Sequence, residues 1–218
     1  MSVVALVPVT GRTGQFGDIL TPEIKQSAFA EFPLLTPVMR NLFAAGCIDL
    51  VALVVPSSQV DEFTKVADVS VMVIGIDERA FESTYSIVAN ALPAIPDSGI
   101  SADVSVVLVH EQRHAFAPPE LIRRVVEEID AGAPAAVPVL PCTDSVKELD
   151  EAGVIIDTPD RATLRVTQSP VGFAGHLWRT EPEPTPWHPL PPGARTVPGH
   201  PAARAIRTAF DLAFAKDG

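Results

Sequence analysis

Residues 3–8, Val-Val-Ala-Leu-Val-Pro, form an unbroken apolar run that is strand-sized and lacks the alternation of a half-exposed strand. Such a run fits a strand buried on both faces of a parallel sheet. The signature returns at residues 49–56, 69–74, 104–109 and 135–139. Between the first two runs, residues 37–46 carry apolar side chains at helical spacing and close on Gly46 as a C-terminal cap. Residues 78–92 predict a helix ended by Pro93, and residues 119–131 an amphipathic one. In the latter, Leu121, Ile122, Val125, Val126 and Ile129 form the buried stripe, with Arg123, Arg124, Glu127 and Glu128 on the other side. Strands alternating with helices in this way imply an open, doubly wound α/β sheet.

The chain has 218 residues, 47% of them hydrophobic, which is enough for one full core and too little for two. A formal charge of −11 and a pI near 4.8 set up a field that repels polyphosphate backbones. Nucleic acid is therefore not an expected partner. No apolar run has membrane-spanning length and the first ten residues carry no positive leader pattern, so the reading is a soluble, cytoplasmic protein without membrane partners. Cys47 and Cys142 have no metal-ligand or redox partner at suitable spacing and read as packed thiols, and no metal site is read from the residues.

After residue 141 the pattern changes. Residues 145–149 and 163–167 read as two extended stretches around an Asp-Glu-Ala-Gly turn and Val154, Ile155 and Ile156. Such an excursion cannot bury both faces alone, so it packs either on another chain or back on its own domain. Residues 181–201 are dense in proline and cannot be regular helix or central strand. Residues 201–216 read as a final helix with Ala205, Ile206, Ala209, Phe210 and Phe214 on its apolar side. The expected organisation is a domain over residues 1–178, with an arm at about 142–168, completed by residues 179–218.

Residues 8–17, Pro-Val-Thr-Gly-Arg-Thr-Gly-Gln-Phe-Gly, follow the first strand as a Gly-containing loop. In a parallel sheet that loop falls at the carboxyl edge, where backbone N–H groups can approach a phosphate. Glycines in a turn are equally ordinary turn chemistry.

Three ordered segments carry a resemblance. They are Gly75-Ile76-Asp77-Glu78-Arg79, Val106 to His114 with His110-Glu111-Gln112-Arg113 at its end, and the stretch from Ala135 to Phe173. The last contains Thr143-Asp144-Ser145-Val146-Lys147, Asp160-Arg161 and Thr167-Gln168-Ser169-Pro170. Over residues 3–173 the chain resembles the methylerythritol-phosphate cytidylyltransferase family. The resemblance implies a Rossmann-like nucleotidyltransferase (GT-A-like) fold, a mostly parallel sheet with helices on both faces and a protruding β-arm through which two copies dimerise. It implies CTP and a small alcohol phosphate as ligands, with Mg²⁺ as cofactor.

Carried over residue by residue, the resemblance implies nucleotide contacts at Pro8, Val9, Thr10, Gly11, Gly17, Gly75, Arg79, Ser83 and Glu111. It implies Arg12 and Lys25 as catalytic cations, and Ser145, Lys147, Arg161 and Ser169 as contacts to the alcohol phosphate. Departures accompany it. Gln15 stands where the family has a loop arginine, Glu82 aligns with a serine, and His114 takes the place of an arginine, with Arg113 one position early. The family's closing helix and lysine-bearing strand are not recognised after Phe173, where the proline-dense segment stands. Three readings stay open: a cytidylyltransferase of lowered activity, an inactive relative acting by binding or regulation, and altered chemistry around Glu82, Glu111 and His114.

Overall fold

Residues 1–9, 32, 34–67, 70–95, 104–180 and 190–215 are described in the computed structural model of the chain. Strand β1 (Ser2–Pro8) shows how the apolar runs work. Val3, Ala5, Val7 and Val9 enter one core, while Val4 and Leu6 enter a second on the opposite face. Because side chains alternate along a strand, a run with no polar member must be covered on both sides. Helix α1 (Leu35–Ala45) covers the first face through Leu35, Val38, Met39 and Leu42, and ends at Gly46 with φ 67°. That left-handed cap, whose N–H donates to the Phe43 carbonyl, is the expected glycine ending.

Strand β2 (Leu50–Pro56) pairs parallel with β1. A short helix, α2 (Val60–Val66), follows; the sequence reading passed over it, because only Phe63 is buried and periodicity has little to register. Strand β3 (Val71–Ile76) lies two residues later than expected. The single helix expected over residues 78–92 is instead a 3₁₀ turn (Glu78–Glu82) and helix α3 (Thr84–Ala91). Two caps divide them: the Asp77 carboxylate accepts from the Arg79 N–H, and Ser83, extended at φ −147°, accepts from the Ser86 N–H. Short polar side chains that bond neighbouring backbone favour helix starts over helix interiors.

Strand β4 (Val104–Val109) and helix α4 (Pro119–Asp130) match expectation, including the buried stripe of α4. Strand β5 (Ala135–Pro141) then leads into the arm. There the two extended stretches do not pair with each other as a hairpin would. Strand β6 (Glu148–Leu149) pairs with β7 (Ile155–Asp157), while β8 (Arg165–Thr167) returns to pair antiparallel with β5. Strand β9 (Val171–Ala174) inserts antiparallel between β4 and β5, and a short helix, α5 (Leu177–Thr180), follows.

Strand β10 (Arg195–Pro198) lies parallel to β5 at the sheet's margin. The proline-dense segment thus does supply a strand, at an edge where proline is tolerated. The final helix is shorter than expected: a 3₁₀ turn (Pro201–Ala203), an extended stretch, then α6 (Ala209–Phe214), opened by a capping box between Thr208 and Asp211. Its later start changes the phase, so Leu212 and Ile206 are buried while Phe210 and Phe214 are 76% and 62% exposed.

The main sheet runs β10-β5-β9-β4-β1-β2-β3, with helices on both faces. It is mostly parallel; among the described residues only β8 and β9 oppose the rest.

Candidate active site

Strand order reverses at β1, since β2 and β3 extend one way and β4 the other. In open α/β sheets the crevice beyond the carboxyl ends of such strands is the usual ligand site. Here Pro8, ending β1, and Val109, ending β4, line a cavity of about 520 Å³. Its rim is completed by Glu82, Ser83 and Thr84 at the start of α3, by Glu111, Gln112 and Arg113 after β4, and by Ile206 and Arg207. A smaller pocket formed by His114, Gln168 and Ser169 shares Thr84, Val109 and Glu111 with it.

The segment after β4 is tied down group by group. His110 is fully buried, and its Nδ1 lies 3.1 Å from the Glu111 carbonyl. A carbonyl only accepts, so Nδ1 carries the proton. Burial, reinforced by nearby His114, pushes the imidazole down to about 4, leaving it neutral at pH 7. The Glu111 N–H donates to Ser169 Oγ at 2.9 Å, and that hydroxyl lies 3.3 Å from the Val109 carbonyl. Ser169 thereby fixes the end of β4. The Glu111 carboxylate accepts from Arg113 Nε at 2.5 Å on an exposed rim.

A strap between β10 and α6 closes one wall. Gly199 N–H donates to the Val139 carbonyl, and a Cβ at Gly199 would come within 2.3 Å of Gln168 Oε1, so only glycine fits. Gln168 donates through Nε2 to the carbonyls of His200 (2.9 Å) and Ala203 (3.0 Å) and accepts from the His200 N–H (2.8 Å). His114 Nδ1 reaches the same Ala203 carbonyl at 2.8 Å; burial holds this imidazole below its usual pKa. Ile206 N–H donates to the Arg113 carbonyl at 2.7 Å. Sequence reasoning named Gln168 only as part of a motif and missed Arg207. Its helical reading of residues 201–216 hid the strap.

The expected site residues divide into four groups. Pro8, Ser83, Glu111 and Ser169 come together at the two pockets, although the Ser83 hydroxyl also caps α3 and the Val9 side chain lies in the core. Gly75 lies in β3 and Arg79 on an exposed turn, and neither lines the cavity. Ser145, Lys147 and Arg161 lie on the arm, where Lys147 Nζ donates to Thr158 Oγ1 and Arg161 to the Thr143 carbonyl. Thr10, Gly11, Arg12, Gln15, Gly17 and Lys25 fall outside the described residues. Among the described residues, no cluster of three or more His, Cys, Asp or Glu could hold a metal ion, and no helix is long and apolar enough to cross a membrane.

A sandwich of helices around a mostly parallel sheet, open at its strand reversal and carrying an arm, is the plan of a Rossmann-like nucleotidyltransferase. Residues 3–181 match the family described as 2-C-methyl-D-erythritol 4-phosphate cytidylyltransferase. The chain belongs to that family. It is 36% identical to the protein of that name from Saccharopolyspora erythraea, over 99% of this chain and 98% of the relative. With the Nocardia farcinica protein it shares 37% identity over 99% and 93%. The likeness therefore runs on past Phe173, beyond the residues 3–173 over which the motifs are recognised. Among solved structures, a 4-diphosphocytidyl-2C-methyl-D-erythritol synthase from Anaerococcus prevotii superposes with a TM-score of 0.72 at 18% identity, covering 99% of this chain and 95% of the other.

Proposed function

We propose that this chain transfers CMP from CTP to 2-C-methyl-D-erythritol 4-phosphate and releases pyrophosphate. A phosphate oxygen of the alcohol phosphate attacks the α-phosphorus of CTP. The bond from that phosphorus to the bridging oxygen breaks, and pyrophosphate leaves with the electron pair. The observation that carries the reading is the cavity at the β1/β4 reversal in a chain matched to this family over residues 3–181.

Catalysis of this kind is positioning plus neutralisation of phosphate charge. The loop residues Thr10, Gly11 and Gly17 continue directly from Pro8 at the cavity's edge, which suits them to cradle phosphates, with Val9 fixing the loop's exit. Arg12 and Lys25 are the proposed cations on the leaving group, and Ser83 contacts the nucleotide. Gly75 and Arg79 keep the weaker claim of the family motif. Mg²⁺ is held through one or two carboxylates plus substrate phosphates, so the carboxylates of Glu111 and Glu82 on the rim fit it without a larger cluster. When bound, the ion neutralises phosphate charge.

Ser145, Lys147 and Arg161 reach a phosphate only if the arm of one copy lies over the cavity of another, so the proposed unit is a homodimer, with Ser169 contacting the alcohol phosphate from within the chain. Support comes from the arm's exposed Leu149, Val154, Ile155, Ile156 and Val166, each at least half exposed. The organisation proposed is one domain, residues 1–178 with the arm at 142–168, completed by 179–218, working in the cytoplasm.

Calorimetric titration with CTP and Mg²⁺, paired with pyrophosphate release on adding methylerythritol phosphate, tests the activity. Binding with turnover is expected, lowered by Gln15 and raised by Gln15→Arg. Nucleotide binding without turnover would favour a regulatory relative and overturn the proposal.

A further inference from the structure

We propose that Gln168 is a positioning residue of the site: its side chain holds the strap, and with it one wall of the cavity, in the place where ligand is bound. The residue follows from geometry, and the inference rests on the proposed activity only for the choice of ligands.

Gln168 sits on a fixed base. It lies between β8 and β9, its own N–H donates to the Pro138 carbonyl at 2.8 Å, and it is 4% exposed. Its amide is used to capacity on one partner segment. Nε2 donates to the carbonyls of His200 (2.9 Å) and Ala203 (3.0 Å), and Oε1 accepts from the His200 N–H (2.8 Å). A side-chain amide supplies two donors and an acceptor together, whereas a carboxylate of the same length would turn an oxygen toward two carbonyls. With its polar atoms so committed, Gln168 acts on the site through the strap and not by touching a ligand.

The bonds close a ring that includes the cavity's rim. From Ala203 the strap runs to Ile206, whose N–H donates to the Arg113 carbonyl at 2.7 Å. Arg113 Nε donates to the Glu111 carboxylate, the Glu111 N–H donates to Ser169 Oγ at 2.9 Å, and Ser169 adjoins Gln168 in the chain. Ile206, Arg113 and Glu111 all line the 520 Å³ cavity. His114 braces the ring, donating through Nδ1 to the Ala203 carbonyl at 2.8 Å. A methionine at 168 opens the ring between sheet and strap. It sets an apolar thioether against three polar backbone groups, of which the His200 N–H is left without its acceptor. A stranded N–H turns to water, so the wall stands off from its place. Ligand then binds only by drawing the wall back, a cost that appears in affinity rather than in the chemical step.

The test compares wild type, Gln168→Met and a stability control, Ile129→Val, a core truncation at a position that lines none of the pockets described. Three things are measured on each: hydrogen exchange of the Ile206 amide under native conditions, calorimetric dissociation constants for CTP with Mg²⁺ and for methylerythritol phosphate, and KM and kcat for both. Loss of the bonds to the strap predicts roughly 5- to 30-fold faster exchange at Ile206 in Gln168→Met. KM for the substrate that meets the strap should rise by a similar factor, with a smaller change in kcat, while the control leaves both KM values within about twofold of wild type. A merely structural role would lower the folded fraction, so that apparent kcat falls at unchanged KM. That outcome overturns the proposal, and so does unchanged exchange at Ile206. Wild type that binds either ligand yet never turns over would sink the proposed activity, and the dissociation constants would then decide the role of Gln168 by the same factors. Wild type that binds neither would sink both. Should methionine prevent folding, Gln168→Asn, whose amide falls one methylene short of the strap, takes its place under the same criteria.

Discussion

Replacing Gln168 with methionine keeps the volume of the side chain and removes all three of its hydrogen bonds to the strap. Gln168 is 4% exposed, so its own amide loses nothing when it is gone, and the cost falls on the groups left behind. The Ala203 carbonyl retains His114 Nδ1 at 2.8 Å and the His200 carbonyl retains the Ala203 N–H at 3.0 Å, while the N–H of half-buried His200 loses the Gln168 acceptor. At about 1 kcal/mol net per neutral bond, with retained bonds softening two of the three losses, the expected loss is about 1–2 kcal/mol. That is a measurable share of the roughly 5–15 kcal/mol by which a domain is stable. With a urea m-value of about 2 kcal/mol/M, the unfolding midpoint should fall by roughly 0.5–1 M at unchanged m. Because Gln168 and His114 share one acceptor, the double variant with His114→Ala should depart from additivity by about 1 kcal/mol. A loss under about 0.5 kcal/mol for Gln168→Met, or strict additivity, would refute the strap as a clamped element.

Other perturbations address separate elements. A Cβ at Gly172 in β9 would lie 2.6 Å from Val125 Cγ1; Gly172→Ala should therefore lower stability by about 1–3 kcal/mol, and an unchanged melting curve would contradict the packing of α4 on β9. His110 titrates near 6.5 when unfolded and near 4 when folded. Between those values the unfolded chain binds the proton that the folded chain refuses, so this contribution is complete above pH 6.5 and shrinks by about 3 kcal/mol as pH falls toward 4. Melting curves across that range should be flatter for His110→Asn, and equal slopes would remove His110 as the cause. Ile155→Asp, at a position 59% exposed, should turn a dimeric elution volume in gel filtration into a monomeric one with little change in melting midpoint. A dimer that survives the change would put the interface elsewhere than the arm.

The sheet was readable because its strands are buried on both faces, and a run such as Val104–Val109 has no other economical use. Gly46 and the stripe on α4 were readable for the same reason, that local chemistry and tertiary role agree. Where reading failed, a local signal was overridden. Residues 204–207 have the composition of a helix, yet the groups that hold this stretch extended, the Arg113 carbonyl on Ile206 and His114 on neighbouring Ala203, come from a segment 89 or more positions away. No window of sequence contains that information. Strand β10 escaped for a related reason: proline density argued against a strand, and only the exposed margin of β5 makes one acceptable there. Of the site, the residues written into ordered motifs were found. Arg207 belongs to none of those motifs, and only the strap brings it to the rim.

The strap also gives the site an order of assembly. The contact between His114 and Ala203 spans 89 positions, so a nascent chain can align β1 to β5 and the arm before the last wall of the cavity has left the ribosome. Until then the margin of β5 next to Val139 is an open edge, able to accept a stray strand. Closing it requires a long loop to return, which is the slow kind of step in folding. The segment that completes the pocket is therefore also the one that retires the sheet's exposed margin, and maturation of the site coincides with the end of its exposure to aggregation.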